Sequence, residues 1–250
     1  MRNAWLTTRS LILWAASGVH FVVVCTFLVA LGIVIDPRKN DWPQRVFFRN
    51  ILRLAGVRFE VRRSPGFDPK RTSIFICNHV NIFDPFVIYS AIPQFVRGFE
   101  LESHFKVPIY GWMMGRFGNV PVPDERSREG LEIMTRKARQ ALDSGTSLIA
   151  FAEASRTRDG YVKPFQKGIF RLAQKFGTPI VPMSIVGSYQ FFQTGNWKLY
   201  PSKITVLLHD TIETSQIGRG DVDALCKRVY EIVSAPVEES LKGWEKPTAD

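Results

Sequence analysis

Cysteine is scarce in this chain, and no metal-binding spacing surrounds the few cysteines that are present. The 250 residues contain three, Cys25, Cys77 and Cys226, with no Cys-x-x-Cys pair. We therefore expect no metal site and no disulfide framework, but three reduced thiols in a protein that faces the cytosol. Cys77 stands beside Asn78 and could be imagined as a nucleophile, but its place in an apolar run favours simple burial.

Two functional signatures are also absent. The formal net charge is +10, which indicates an anionic partner, but no nucleic-acid-binding motif accompanies it, so nucleic acid is not expected. An acidic membrane surface or phosphorylated small molecules remain. The segment 45–49, in which two arginines enclose two phenylalanines, suits an anionic lipid surface. The hydrolase signature G-x-S-x-G is missing too, because the sequence around Ser188 lacks the second glycine.

Charge is missing altogether from residues 11–35. This stretch is long enough to span a bilayer, for which about 20 residues are needed. A secretory signal is disfavoured because the stretch is too long and no clear cleavage site precedes Asp36. One crossing helix and a half-inserted hairpin bent at Gly18 both remain possible. Basic residues concentrate after the stretch, which favours a position of the following domain on the cytoplasmic side of the inner membrane.

An amphipathic pattern follows the apolar stretch. It predicts a helix over residues 43–55 that ends at Gly56 and either lies along lipid headgroups or packs on the domain. We therefore divide the chain into a membrane anchor at residues 1–42, an interfacial helix at 43–56 and the main domain at 57–250. No obligate protein partner is implied.

Beyond residue 57, short apolar runs rich in β-branched and aromatic residues alternate with helical patterns. Helices are expected over residues 103–116, in spite of Pro108, and over residues 127–142. This alternation predicts an α/β fold with a mostly parallel central sheet flanked by helices.

A histidine and an aspartate follow the apolar run 74–77. Asp84 and Pro85 resemble an N-cap and a first helical position, so a strand end and a helix start would fix both side chains. A histidine with an ordinary pKa of about 6.5 can accept a proton near neutrality, and a carboxylate on its far nitrogen would set its tautomer. His79 and Asp84 could therefore form a general base. The alternative is that Asp84 only caps a helix and His79 is an ordinary loop histidine.

A second polar cluster follows the predicted strand 147–151 and contains Glu153, Ser155 and Arg156. Because the carboxyl ends of parallel strands meet at one edge of a sheet, we expect this cluster to lie near His79. Glu153 could accept hydrogen bonds from hydroxyl groups or pin the loop, and Arg156 offers a two-pronged donor for a phosphate. A solvated Glu–Arg pair is the alternative.

The block from Asn78 to Asp84 resembles the first signature of the glycerolipid acyltransferases of the lysophosphatidate acyltransferase type. In that family the histidine is the base and the aspartate orients it. The segment 151–156 is similar to the family's phenylalanine-proline-glutamate-glycine-threonine-arginine block, with alanine at positions 152 and 154. The resemblance implies that Asn78, Glu153, Ser155 and Arg156 contact the substrate.

A framework around Pro108 resembles the family's second block, with two departures. Family members commonly carry a lysine and an arginine where this chain has Leu101 and Asp124. Lys106 and Arg126 lie close by in sequence and could replace these phosphate-binding cations.

The segment 181–183 resembles a valine-proline strand that the family associates with acyl-donor binding, which makes Pro182 a candidate contact. The resemblance implies transfer of a fatty acyl group from acyl-CoA or acyl-carrier protein to a lysophospholipid hydroxyl. The most direct acceptor is 1-acylglycerol-3-phosphate, which would give phosphatidate. No cofactor other than the acyl donor is implied, and the expected partners are this donor and membrane lipids. The alternatives are another acceptor, such as a different lysophospholipid, an acylated amino acid or a neutral lipid, and a catalytically silent, membrane-anchored lipid-binding protein.

Overall fold

The computed structural model describes residues 2–37, 41–108, 110–125, 127–153 and 155–244. Helices and strands alternate along most of the chain. The helices are α1 (Arg2–Val34), α2 (Trp42–Leu54), α3 (Asp84–Ala91), α4 (Tyr110–Arg116), α5 (Arg128–Asp143), α6 (Gly168–Phe176), α7 (Ser188–Phe191) and α8 (Val222–Leu241), with short 3₁₀ helices at Glu102–Lys106 and Arg219–Asp221. The strands are β1 (Arg58–Arg63), β2 (Ile74–Cys77), β3 (Val96–Leu101), β4 (Val120–Val122), β5 (Ser147–Phe151), β6 (Ile180–Val186) and β7 (Lys203–Leu208).

Seven of the described strands form one sheet in the order β1-β7-β6-β2-β5-β3-β4. Every neighbouring pair is parallel except β6 and β7. The predicted α/β fold with a mostly parallel sheet is therefore confirmed. Strand β2 lies at the centre, between β5 and β6, and its last residue, Cys77, is in register with Phe151 at the end of β5. The segments that follow β2 and β5 consequently leave the sheet side by side.

The alternation of side chains along β2 divides the core into two layers. Phe75 faces a layer formed with α1, α2 and α3, whereas Ile74 and Ile76 face a layer formed with α5, α6 and α8. All four residues of β2 are buried. Because both faces are covered, a continuous apolar run suits this strand better than an apolar–polar alternation.

Helix α1 is a single unbroken helix, and Gly18 does not bend it. Residues Asn3–Val34 form the one described helix that is long and apolar enough to cross a membrane, and only 22% of its most apolar window is buried. The helix lies lengthwise on the domain. Near its start, Ser10 Oγ accepts a hydrogen bond of 3.0 Å from Leu199 N, and near its end Gly32 O accepts one of 2.7 Å from Arg116 Nε.

Helix α2 ends at a left-handed Gly56 with φ of 75°, as predicted. Its buried side chains, Phe47 among them, pack against α1 and α3. Arg45, which we expected at the lipid surface, lies elsewhere. Its guanidinium donates to the carbonyl oxygens of Ile92, Pro93 (3.0 Å) and Gln94 (2.8 Å) at the end of α3. An arginine fork here satisfies carbonyl groups that the helix end leaves without intrahelical partners.

The prediction of one continuous helix over residues 103–116 was wrong. A 3₁₀ helix ends at Lys106 and α4 begins only at Tyr110. Pro108 has no N–H group and its ring obstructs the preceding turn, so a helix cannot continue through it. At Gly111 a Cβ atom would lie 2.0 Å from Phe105 O, so the close approach of the two helices requires glycine.

We expect Arg45→Met to lower the free energy of unfolding by about 2–3 kcal/mol, because three carbonyl groups lose a charged donor. Arg49→Met is the matched control, since Arg49 lies on the same helix, is exposed and has no partner among the described residues. Chemical unfolding in detergent micelles measures both. Equal losses of unfolding free energy in the two variants would contradict a stabilising role of the hydrogen bonds from Arg45 to the three carbonyl groups.

Candidate active site

His79 and Asp84 are in direct contact at the carboxyl end of β2. His79 Nδ1 lies 2.8 Å from Asp84 Oδ2, and the same oxygen accepts the N–H groups of Val80 (2.5 Å) and Asn81 (2.8 Å). Asp84 is completely buried. An oxygen that already accepts two N–H groups acts as an acceptor toward the imidazole as well, so Nδ1 carries the ring proton. Nε2 is left with a lone pair.

The expectation that Asp84 is an N-cap was wrong in detail. Helix α3 begins at Asp84, and Phe83 occupies the cap position. The carboxylate accepts from the preceding loop, at Val80 and Asn81, and orients His79. Pro85 lies in the first turn, as predicted. The carboxylate thus serves the histidine loop instead of its own helix.

The imidazole of His79 is held flat against a second ring. Its centroid lies 3.8 Å from that of Phe151, with an angle of 19° between the planes. The side chain retains 16% exposure, and Nε2 has no hydrogen-bond partner in the described part of the chain. Stacking on Phe151 and the bond to Asp84 together fix the ring, so its unprotonated nitrogen faces the accessible edge of the site.

Glu153 pins the two loops of the site to each other. Its Oε1 accepts from His79 N and its Oε2 from Lys163 N, both at 2.7 Å, and the residue is only 4% exposed. Burial raises the pKa of Glu153 to about 7, although the two N–H donors favour the ionised form. Of the two roles expected for Glu153, the geometry corresponds to pinning the loop.

The loop after β5 crosses directly over the histidine loop. Thr157 N donates to His79 O at 3.0 Å. Ser155 and Arg156 are exposed beside this contact, and Lys163 Nζ donates to Ser155 Oγ (3.0 Å) and Arg156 O (2.7 Å). Within the described ranges Arg156 forms no ion pair, with Glu153 or any other carboxylate, so the solvated Glu–Arg pair that was the alternative interpretation is not observed. Its guanidinium can take an external anion.

Asn78 and Pro182 lie beneath the site. The side chain of Asn78 is 1% exposed, with Oδ1 accepting from Ile185 N (2.8 Å) and Nδ2 donating to Ile185 O (3.0 Å). Pro182 is buried in β6, in register with Ile76. This geometry gives both residues a place in joining β2 to β6, and their contact with substrate stays a prediction.

At the positions where the resemblance leads us to expect cations, this chain has an apolar and an acidic residue. Asp124 accepts from Ser103 N (2.8 Å) and Ser103 Oγ (2.7 Å), which ties its loop to the start of the 3₁₀ helix. Leu101 is 45% exposed. Lys106 is exposed and has no described partner. Arg126 lies outside the described residues, so its predicted role is untested.

Sequence reasoning missed two residues of this site, Lys163 and Ser188. Lys163 holds the loop that carries Arg156, and Ser188 Oγ donates to Asp84 Oδ1 at 2.8 Å. Ser188 stands 104 residues after Asp84, and no local pattern links the two. Among the described residues no group of three or more His, Cys, Asp or Glu side chains is arranged so that it could hold a metal ion.

This fold and site are those of an α/β protein with a hydrogen-bonded His79–Asp84 pair at the carboxyl edge of its sheet, next to a long apolar helix. A family model described as Acyltransferase matches residues 47–186, more than half of the chain. The chain belongs to the Acyltransferase family. The matched residues include both the histidine loop and the loop of Glu153.

Relatives and one solved structure agree with this assignment. The chain is 26% identical over 234 residues to a protein of Limnanthes alba named 1-acyl-sn-glycerol-3-phosphate acyltransferase, covering 90% of this chain and 82% of the relative. The human 1-acyl-sn-glycerol-3-phosphate acyltransferase beta is 28% identical over 181 residues, covering 72% and 64%. The crystal structure of the 1-acyl-sn-glycerophosphate (LPA) acyltransferase PlsC from Thermotoga maritima has a TM-score of 0.78 and 23% identity, and the match covers 98% of this chain and 100% of that one. At this identity the structural match shows a shared fold.

The raised pKa of Glu153 makes stability depend on pH. Its value of about 7 in the folded protein lies above the ordinary 4.5, so folding favours the protonated carboxyl. The corresponding stability is fully present below pH 4.5 and is lost as the pH rises through about 7, by up to about 3 kcal/mol. Chemical unfolding at pH 5 and pH 8 should show a smaller loss in Glu153→Gln than in the wild type. The exposed Glu129→Gln should behave as the wild type does, and an undiminished loss in Glu153→Gln would contradict the assignment.

Proposed function

We propose that this protein transfers a fatty acyl group from the thioester of acyl-CoA or acyl-carrier protein to the hydroxyl of a lysophospholipid. The most direct acceptor is 1-acylglycerol-3-phosphate, and the product is then phosphatidate. The observation that carries the proposal is the tautomer of His79, fixed by Asp84 so that a nitrogen lone pair lies at the exposed edge of the ring. The acceptor is taken from the printed names of the relatives.

In this reaction His79 Nε2 accepts the hydroxyl proton as the acceptor oxygen attacks the thioester carbonyl carbon. A carbon–oxygen bond forms, the carbon–sulfur bond breaks, and the departing thiolate takes the proton back from the imidazolium. Asp84 stabilises the imidazolium while it exists. No acyl-enzyme forms, which fits a site in which Cys77 is completely buried and burial raises the pKa of its thiol.

Recognition of an anionic acceptor falls to the loop after β5. Arg156 is exposed and forms no ion pair in the described structure. Lys163 Nζ donates a hydrogen bond to the backbone carbonyl oxygen of Arg156. Neither cation has a carboxylate partner there. Because Glu153 joins this loop to His79, a phosphate held by Arg156 and Lys163 would lie near the base. Lys163 thus provides a cation at the site, whereas Leu101 and Asp124 do not.

The membrane holds the enzyme through α1. Its outward stripe carries Val19, Val22 and Phe27, each exposed by more than half, while hydrogen bonds at both ends keep the helix along the domain. A helix docked in this way lies in one leaflet next to the active-site domain. Residues 1–42 serve as the anchor, 43–56 follow the interface with their outer face, and 57–250 are the catalytic domain, on the cytoplasmic side according to the basic flank of the apolar stretch.

The reaction is tested by acyl transfer from acyl-CoA and from acyl-carrier protein to a panel of acceptors. The panel contains 1-acylglycerol-3-phosphate, a zwitterionic lysophospholipid, an acylated amino acid and a monoacylglycerol. We expect phosphatidate from the wild type and a loss of at least about 100-fold in kcat for His79→Ala, because the general base is removed. His104→Ala, an exposed histidine of the 3₁₀ helix, is the matched control and should retain activity.

Each other result has a definite meaning. Activity retained in His79→Ala would overturn the assignment of the base. Activity confined to the other acceptors would replace the proposed substrate by another hydroxyl or amine acceptor, consistent with the changes at Leu101 and Asp124. A wild type that is inactive on the whole panel but binds lysolipid vesicles would favour the catalytically silent lipid-binding protein.

Arg156→Met and Lys163→Met should each raise KM for the anionic acceptor by about tenfold or more, because a charge-assisted contact with the phosphate is lost. KM for a neutral monoacylglycerol should change little. Lys167→Met is the control, because Lys167 is near in sequence but is paired with Asp223 at 2.6 Å. An unchanged KM for the anionic acceptor in both variants would remove the phosphate role of this loop.

A further inference from the structure

Ser188 follows the carboxyl end of β6, after a turn at Gly187 that requires glycine. Gly187 has φ of 88°, and a Cβ atom there would lie 2.1 Å from Lys203 O. Helix α7 begins at the next residue, and this turn places the hydroxyl of Ser188 2.8 Å from Asp84 Oδ1. Ser188 and Asp84 are both 0% exposed.

The direction of the hydrogen bonds at Ser188 follows from Asn81 and Asp84 together. One end of the Asn81 amide group accepts from Phe83 N at 2.8 Å and is therefore the oxygen. The other end is the NH₂ group, which lies 2.9 Å from three acceptors, Ser188 Oγ, Ser188 O and Phe192 O. Toward this group Ser188 Oγ can only accept, and an ionised Asp84 Oδ1 has no hydrogen, so the single hydrogen of Ser188 is directed to Asp84 Oδ1 at 2.8 Å.

The two oxygens of Asp84 have unequal support. Oδ2 accepts from His79 and from two backbone N–H groups, whereas Ser188 is the one partner of Oδ1 in the described structure. A fully buried carboxylate is stable in its ionised form only when both oxygens are hydrogen-bonded.

We infer that Ser188 is a positioning residue for the acyl transfer, which keeps Asp84 ionised and its carboxylate oriented so that His79 Nε2 stays available as the base. This inference rests on the proposed function. Ser188 acts through Asp84 and does not touch the substrate, because it is completely buried and its hydrogen is committed. The proposed base, His79, is thus held by a hydrogen-bonded series that also contains Asp84, Ser188 and Asn81.

Removal of the hydroxyl should change the pH dependence of catalysis. Without the Ser188 donor the ionised carboxylate is less stable, so the His79–Asp84 pair binds a proton more readily. The other titratable groups that face Asp84 are Cys77 and Glu153, which interact with it electrostatically. Neither contacts Ser188, so loss of its hydroxyl acts on the His79–Asp84 pair first and on these two groups only through Asp84.

The experiment compares the pH profiles of kcat for full-length wild type, Ser188→Ala, Ser188→Thr and Ser184→Ala in detergent–lipid micelles. Ser184 is the matched control, because it is equally buried and also has two hydrogen bonds, to His209 and Val233 O, but none to Asp84. We expect Ser188→Ala to lower kcat about tenfold or more and to move the acid limb up by about half to one pH unit. KM should change little, and Ser188→Thr should restore both quantities.

A drop in kcat with an unmoved acid limb would overturn the inference, because it would show a packing role alone, and so would the same shift in Ser184→Ala. If Ser188→Ala does not fold, Ser188→Cys carries the test. A thiol is a weaker donor of similar shape, and a partial shift in its profile would support the positioning role, whereas a wild-type profile would overturn it. His79→Ala in the same assay separates the two proposals. Activity retained in His79→Ala would contradict the role of His79 as the base and therefore the proposed function. Activity lost in His79→Ala, with no effect of the Ser188 variants, would contradict only the positioning role of Ser188.

Discussion

The buried carboxylate of Asp84 is the interaction on which the rest of this site depends. It joins three elements that are distant along the chain: the loop after β2, the start of α3 and the start of α7. A charge in such a place is strongly destabilising unless donors surround it. Four donors do so here, one of them the imidazole that needs a fixed tautomer. The same four hydrogen bonds therefore stabilise the buried charge and orient His79, which explains how this carboxylate can lie completely out of water.

Glu153 is the second buried carboxylate, and it complements Asp84. Asp84 fixes the imidazole ring, whereas Glu153 fixes the backbone of His79 and connects it to Lys163. The parallel register of β2 and β5 makes this connection possible, because it brings the ends of the two strands together. The cations that suit a phosphate then lie on one loop, at Arg156 and Lys163. The neighbouring segment instead uses Asp124 to hold Ser103, so it carries a carboxylate where the resemblance leads us to expect a cation.

The apolar helix and the site belong to one packed unit. Helix α1 is hydrogen-bonded to the domain near both of its ends, and Arg45 of α2 caps α3, the helix that begins with Asp84. A continuous set of contacts thus runs from the apolar helix α1 to His79. In the proposed reaction this arrangement has a clear physical benefit, since a lipid substrate would lie in the same plane as the helix that anchors the protein.

The sequence by itself determined the fold class, the long apolar helix and the pairing of His79 with Asp84, because each depends on residues close together along the chain: the period of apolar side chains, the length of a run, the spacing between a strand end and a helix start. It also predicted that Glu153 and Arg156 lie at the same edge of the sheet as His79, since the carboxyl ends of parallel strands share that edge. Only the tertiary structure decided what each polar group does. It turned Asn78 and Arg45 inward to the backbone, broke the helix at Pro108, made Glu153 a pin and brought in Lys163 and Ser188. These partners come from segments far apart in sequence, and no local pattern specifies which distant donor will satisfy a buried oxygen.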